Sequence, residues 1–193
     1  RFADGAFYFE QDLKTPLGAM AKKLGEVVFE RSLGTLAEKT DRIADLVAGL
    51  GAALNLPADV VGRSQHAARL CKADLGSGVV REFPDLQGVM GRIYAQRAGL
   101  PEIGATAIEE LHLPMHAGDR LPVSAEAALI AVADRLDSVV GIFGAGKTPT
   151  GSADPFGLRR AVIGVCQILL HQRWNLSLAT CVAMAVRRLA SRV

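Results

Sequence analysis

Phosphate chemistry is the first possibility that residue spacing raises. Gly141-Ile142-Phe143-Gly144-Ala145-Gly146-Lys147-Thr148 matches the pattern of a phosphate-cradling loop. Such a loop needs a strand before it and a helix after it, so that free N–H groups converge on the phosphates. Here a long helical pattern leads in, and Pro149 follows at once, which disfavours the α region at Thr148. A glycine-rich helix end is therefore expected, not a nucleotide loop. His112 and His116 have the i, i+4 spacing of two helical metal ligands, but Pro114 lies between them and no Glu completes a zinc motif. They are expected in a loop near Gly118-Asp119, with His66 and His171 as isolated residues. Asp74 and Asp134 fall in runs expected to form core helices. Two carboxylates without imidazole partners suit transition metals poorly, so capping, pairing with Arg or Lys, or tying helices together is expected of them.

The elements that must position these residues are helical. Residues 1–34 carry Phe2, Phe7, Tyr8 and Phe9, then Thr15-Pro16, where Thr15 is expected to cap a helix with Pro16 at its first position. Leu24, Val27, Val28 and Arg31 continue at helical spacing. Leu36, Ile43, Leu46, Val47, Leu50 and Leu54 then mark one face of an amphipathic helix, with Glu38, Lys39, Asp41, Arg42 and Asp45 mostly opposite. One or two helices are expected over 58–82, broken near Gly76-Ser77-Gly78, and another over 86–97. Residues 125–143 are apolar nearly all round, as in a helix buried centrally. A turn-rich loop at 144–155 and helices near 156–172 and 177–191 complete the chain. The expected fold is all-α, with a segment at 1–34, a helical domain at 35–172 and a terminal helix at 173–193.

Composition agrees with packed helices. Half of the 193 residues are hydrophobic and only 5% aromatic, with Ala, Leu and Val carrying the apolar content. No secretory signal pattern opens the chain, and the longest apolar run is too short to span a bilayer, so no membrane partner is expected. Cys71, Cys166 and Cys181 are widely spaced without a CxxC pair, as expected of buried thiols in a reducing cytoplasm. The net charge of +2 neither demands nor excludes nucleic acid. The chain opens on Arg1 rather than Met and is expected to be an internal piece of a longer polypeptide.

Six runs, in order, resemble the β subunit of bacterial α₂β₂ glycyl-tRNA synthetases. They are Phe9–Leu17, Leu33–Leu36, Lys72–Leu75, Glu82–Gly91, Ala133–Asp137 and Pro149–Arg160. The most specific are Glu-Phe-Pro-x-Leu-Gln-Gly-x-Met-Gly and Pro-Thr-Gly-Ser-x-Asp-Pro-Phe-x-Leu-Arg-Arg. The resemblance implies a segment that supports recognition of tRNA(Gly), with glycine activated by ATP and magnesium on the α subunit. It implies no catalytic residue or cofactor in this chain. Ala153 stands where the family usually has a basic residue, and His112 is displaced by one from the family's Glu-His-Tyr-x-Pro run.

The order of helices also resembles HD-superfamily metal phosphohydrolases. By that resemblance Lys39 stands where the first metal-ligating His belongs and Ala73 where the His of His-Asp belongs. Lys39, Ala73, Asp74 and Asp134 are then degenerate metal positions, and no metal is expected. An active phosphohydrolase, which would need both histidines, and a helical subunit-interaction module are the alternatives.

In the Pro149–Arg160 run, Gly151 and Ser152 are expected to permit a turn, and Asp154 to cap a helix with Pro155 at its first position. Lys147, Arg159 and Arg160 are the tRNA-binding candidates. Adjacent arginines lie about 100° apart on a helix, so one can reach RNA phosphate while the other pairs internally; both pairing internally is the other arrangement open to them.

Overall fold

A computed structural model describes residues 2–150 and 153–190. Among these residues, ten α-helices and one two-stranded ribbon form the architecture. The all-α expectation holds.

The centre is helix α8, Ala125–Gly144, whose residues Ala127 to Ala133 are all buried. Ser124 starts it by accepting the Ala127 N–H at 3.1 Å. Around α8 pack α3 (Leu36–Ala53), α4 (Ala58–Leu70), α7 (Glu102–Glu110), α9 (Leu158–His171) and α10 (Leu178–Ala190). Leu129 and Ile130 are fully buried, and each such side chain contributes about 1.5–3 kcal/mol of transfer free energy. One buried cluster runs from Leu17 and Met20 through Ile43 and Leu50 to Cys181 and Ala185.

Helix α3 has the clearest start. The Thr35 hydroxyl accepts from the Glu38 N–H at 3.3 Å while the Glu38 carboxylate accepts from the Thr35 N–H at 2.7 Å. Gly34, at φ +81°, leaves room for that carboxylate, which a Cβ would strike. The apolar face is buried as expected, but Lys39 and Arg42, expected on the polar side, are only 2% and 3% exposed.

Several local expectations give way. Helix α2 (Leu17–Lys23) has Pro16 rather than Thr15 at the N-cap and no side-chain cap. Residues 27–31 are not helical: β1 (Val28–Glu30) pairs antiparallel with β2 (Gly34–Thr35). The β-branched Val27 and Val28, followed by a tight turn closed by Leu33 N–H to Glu30 C=O at 2.9 Å, favour the ribbon. Helix α6 (Val89–Arg97) begins only at Val89, because Pro84–Leu86 forms a 3-10 turn and Gly88 adopts φ +84°. Asp74 sits in a 3-10 turn, Ala73–Gly76, rather than in a full helix. Helix α7 had no sequence counterpart. Helix α10 covers Leu178–Ala190, and Ser191 lies outside the described residues. No helix among the described residues is long and apolar enough to cross a membrane.

Candidate functional site

Helical spacing assembles a buried ionic cluster. Lys39 and Arg42 on α3 are one turn apart, as are Asp134 and Asp137 on α8, so each pair shares a face. Lys39 Nζ lies 3.0 Å from Asp134 Oδ1, 2.9 Å from Asp137 Oδ2 and 2.8 Å from Ser138 Oγ. Arg42 donates to both Asp137 oxygens, at 2.6 and 3.2 Å, and to the Leu33 carbonyl at 2.9 Å. Lys72, just past the end of α4, reaches Asp134 Oδ2 at 2.9 Å. Burial alone would push the Asp134 carboxyl up, but Lys39 and Lys72 outweigh it and hold the group far below the carboxylate range. Burial likewise works against the Lys72 ammonium, and the Asp134 charge overcomes it and raises the pKa. Cys71 beside them is pushed up to about 12 by burial, so it is an inert thiol.

Asp74 faces elsewhere. Its Oδ2 accepts the N–H groups of Gly88, at 2.6 Å, and Gly91, at 3.1 Å, at the start of α6 (Val89–Arg97). Its Oδ1 is buried without a hydrogen-bond partner, and burial raises its pKa. Gly91 permits the approach, since a Cβ there would come within 2.7 Å of Ile108 Cγ2. Ala73 is fully buried and offers no ligand atom. Of the four positions expected to be degenerate metal sites, Lys39 and Asp134 therefore meet, whereas Asp74 is turned to a helix cap. Among the described residues, no three His, Cys, Asp or Glu side chains stand together as a metal set. Lys39, Lys72 and Arg42 already supply the positive charge that Asp134 and Asp137 require.

His112 lies between the cluster and a surface cavity. Burial lowers its pKa to about 4, and the charges of Lys72 and Arg135 act in the same direction. The unfolded chain therefore binds this proton near pH 6.5 while the fold refuses it down to about 4. Stability should fall as pH drops through that window, by up to about 3 kcal/mol. Asp74, which holds its proton more tightly when folded, opposes the trend, and Asp134 adds its own loss only at still lower pH. Urea midpoints between pH 7 and 4 test this: His112→Gln should flatten the slope, and an unchanged slope in that variant would assign the loss to other groups.

The glycine-rich run closes on itself. Gly141 to Gly144 end α8, and the N–H groups of Ala145, Gly146 and Lys147 bond back to the carbonyls of Gly141, Phe143 and Ile142 at 2.9, 2.9 and 3.1 Å. No cradle of free N–H groups is left there for a phosphate. Lys147 Nζ pairs with Glu30 Oε1 at 2.7 Å and lies 5.6 Å from the centre of the Phe156 ring.

The arginines differ from one another. Asp154 accepts the N–H groups of Leu158, at 2.8 Å, and Arg159, at 2.9 Å. It thus caps α9 from further upstream than expected, and Gly157 at φ 65° rather than Pro155 leads into the helix. Gly151 and Ser152, expected to permit the turn, lie outside the described residues. Arg159 donates to the Thr150 carbonyl. Arg160 makes no hydrogen bond or ion pair with the described residues and folds back over Gly157.

Arg160 borders a cavity of about 440 Å³ shared with His112, Met115, Asp134, Arg135 and Phe156. Arg135, missed by sequence reasoning, shapes its wall by donating to the carbonyls of Leu111, His112, Leu113 and Pro114 at 2.8, 3.0, 2.7 and 3.3 Å. Lys72, Arg42 and Asp137 were missed as well.

A sequence model of the family described as "Glycyl-tRNA synthetase beta subunit" matches residues 1–192. The "Glycine--tRNA ligase beta subunit" of Myxococcus xanthus is 46% identical over 193 residues, covering 100% of this chain and 27% of the relative. That of Moorella thermoacetica is 45% identical over 185 residues, 96% of this chain and 27% of the relative. That of Pseudomonas entomophila is 42% identical over 193 residues, 100% of this chain and 28% of the relative. The chain thus spans about a quarter of the length of these relatives. Identity of this order over 96–100% of the chain, with the family match over residues 1–192, shows that the chain belongs to the glycyl-tRNA synthetase beta subunit family.

Proposed function

We propose that this chain supports recognition of tRNA(Gly) during the ATP-dependent attachment of glycine to tRNA in the cytoplasm. Glycine activation, with ATP and magnesium, belongs in this reading to a separate α subunit. The observation that supports the reading is the 46% and 42% identity, over the whole of this chain, with subunits that bear the ligase name. Arg160 supports an RNA contact within it: an exposed guanidinium with no described partner is free for phosphate, and phosphate contacts fix position without reading sequence. Lys147 and Arg159 are weaker candidates, since Glu30 and the Thr150 carbonyl already engage them.

The degenerate HD-like cluster acts in this reading as structure, not as a metal centre. Elemental analysis of protein purified without chelator should give no stoichiometric transition metal. One tightly held metal per chain, with phosphatase turnover abolished by Asp134→Ala, would favour the phosphohydrolase instead. A subunit-docking role is favoured by one feature, an apolar groove of about 930 Å³ whose lining includes Val139, Phe143, Val162, Val182 and Val186.

The test uses the assembled α and β subunits. Arg160→Ala in the β subunit should lower glycylation of tRNA while glycine-dependent ATP–pyrophosphate exchange survives. Loss of both activities together, or of neither, would remove Arg160 from the tRNA surface.

A further inference from the structure

We propose that the cavity beside Arg160 holds one unpaired nucleotide, its base against Phe156 and its phosphate on Arg160. The inference rests on the tRNA reading above and narrows it from a generic phosphate contact to a nucleotide pocket. Four observations carry it. The cavity, at about 440 Å³, lies within the roughly 300–1,000 Å³ usual for small-ligand sites. Phe156 and Met115, 48% and 61% exposed, stand at its rim as large apolar groups with no core role. Lys147 lies 5.6 Å from the centre of the Phe156 ring, which sets a further positive charge beside the aromatic face.

Charge is the fourth observation. Asp134 is the carboxylate in the lining, and Lys39 and Lys72 answer it at 3.0 and 2.9 Å. Arg135 spends its donors on carbonyls and makes no direct ion pair, although the nearby Asp134 charge favours its ionised form. Asp154 feels the charge of Arg160 but gives its oxygens to the Leu158 and Arg159 N–H groups. Two guanidinium charges therefore face a cavity whose carboxylate is already neutralised, next to an exposed ring. An anion carrying an aromatic face fits that pairing. Bases inside a duplex are already stacked on one another and have no free face for a side-chain ring, whereas an unpaired base can be splayed onto it.

A single-stranded hexaribonucleotide carrying 4-thiouridine, a blunt duplex of the same strand, and free UMP are the probes. They are titrated into the 193-residue chain without the α subunit, so that no activation site competes. The hexamer should bind more tightly than the duplex and photocrosslink within 111–117 or 153–161. Phe156→Ala should weaken the hexamer roughly 5- to 100-fold, from the usual strength of base–aromatic stacking, and leave the duplex unchanged. Phe156→Trp should restore binding, with equal melting temperatures showing that the exposed ring is not needed for folding.

UMP displacing the hexamer at matching concentrations would support the pocket and make a free mononucleotide its ligand. Equal affinity for hexamer and duplex, or no effect of Phe156→Ala, overturns the pocket. If Arg160→Ala still weakens the duplex in that case, the phosphate contact survives without it. If neither substitution affects either RNA, both readings fail.

Discussion

Asp137→Ala should destabilise the fold by about 3–5 kcal/mol, the usual cost of removing one partner from a buried ion pair. Asp137 is 1% exposed and accepts three charged hydrogen bonds, two from Arg42 and one from Lys39. Lys39 would keep Asp134, but Arg42, 3% exposed, would keep only the Leu33 carbonyl. The loss is therefore mainly that of a buried guanidinium without an anion. Asp137→Asn retains the shape and one acceptor and should cost less. Asp137→Ala combined with Arg42→Leu should be less destabilising than Asp137→Ala alone, because the stranded charge goes with its partner. Urea unfolding at pH 7 measures all of these. A change below about 1 kcal/mol in Asp137→Ala would mean that water reaches the cluster and the helices are not clamped there.

Arg135→Met should cost about 3–4 kcal/mol, and the damage should be local. Methionine fills much of the same space but donates nothing, so the carbonyls of Leu111, His112, Leu113 and Pro114 lose a shared partner. At roughly 1 kcal/mol for each orphaned group, the sum exceeds most surface effects several-fold. Arg135→Lys should recover only part, because one ammonium cannot span four carbonyls that a planar guanidinium reaches. Hydrogen exchange should show the amides of 111–116 opening before those of α8. Unchanged protection of that loop in Arg135→Met would contradict the role given to this side chain.

Period and capping made most of the fold legible. The i, i+3, i+4 recurrence of Ile43, Leu46, Val47 and Leu50 marks α3, and the apolar run at 127–133 marks the central helix. The ribbon at 28–35 was not legible, because strands of three and two residues are too short to show alternation against a helical background. Helix α7 is short and holds Gly104, so local signals for it are weak.

The site was half legible. Asp134 and Lys39 stood out only through their place in a family pattern. A direct signal did exist: Lys39 with Arg42 and Asp134 with Asp137 repeat the same one-turn spacing with opposite charge, as two facing helices require. Lys72 could have been noticed as a charge flanked by the apolar residues Leu70, Cys71 and Ala73. Arg135 could not, since its carbonyl partners carry no sequence mark. Arg159 and Arg160 looked equivalent in sequence. The Asp154 cap and the Thr150 carbonyl separate them only in three dimensions.

The salt dependence of tRNA(Gly) binding tests the central claim most directly. With Arg160→Ala in the assembled enzyme, the slope of log affinity against log salt should become shallower by roughly one unit, the signature of one lost phosphate contact. Binding should weaken at low salt while the melting temperature stays at the parent value, as suits an exposed side chain. A variant that melts early yet binds tRNA with the parent slope would show Arg160 to be structural and place the RNA surface elsewhere.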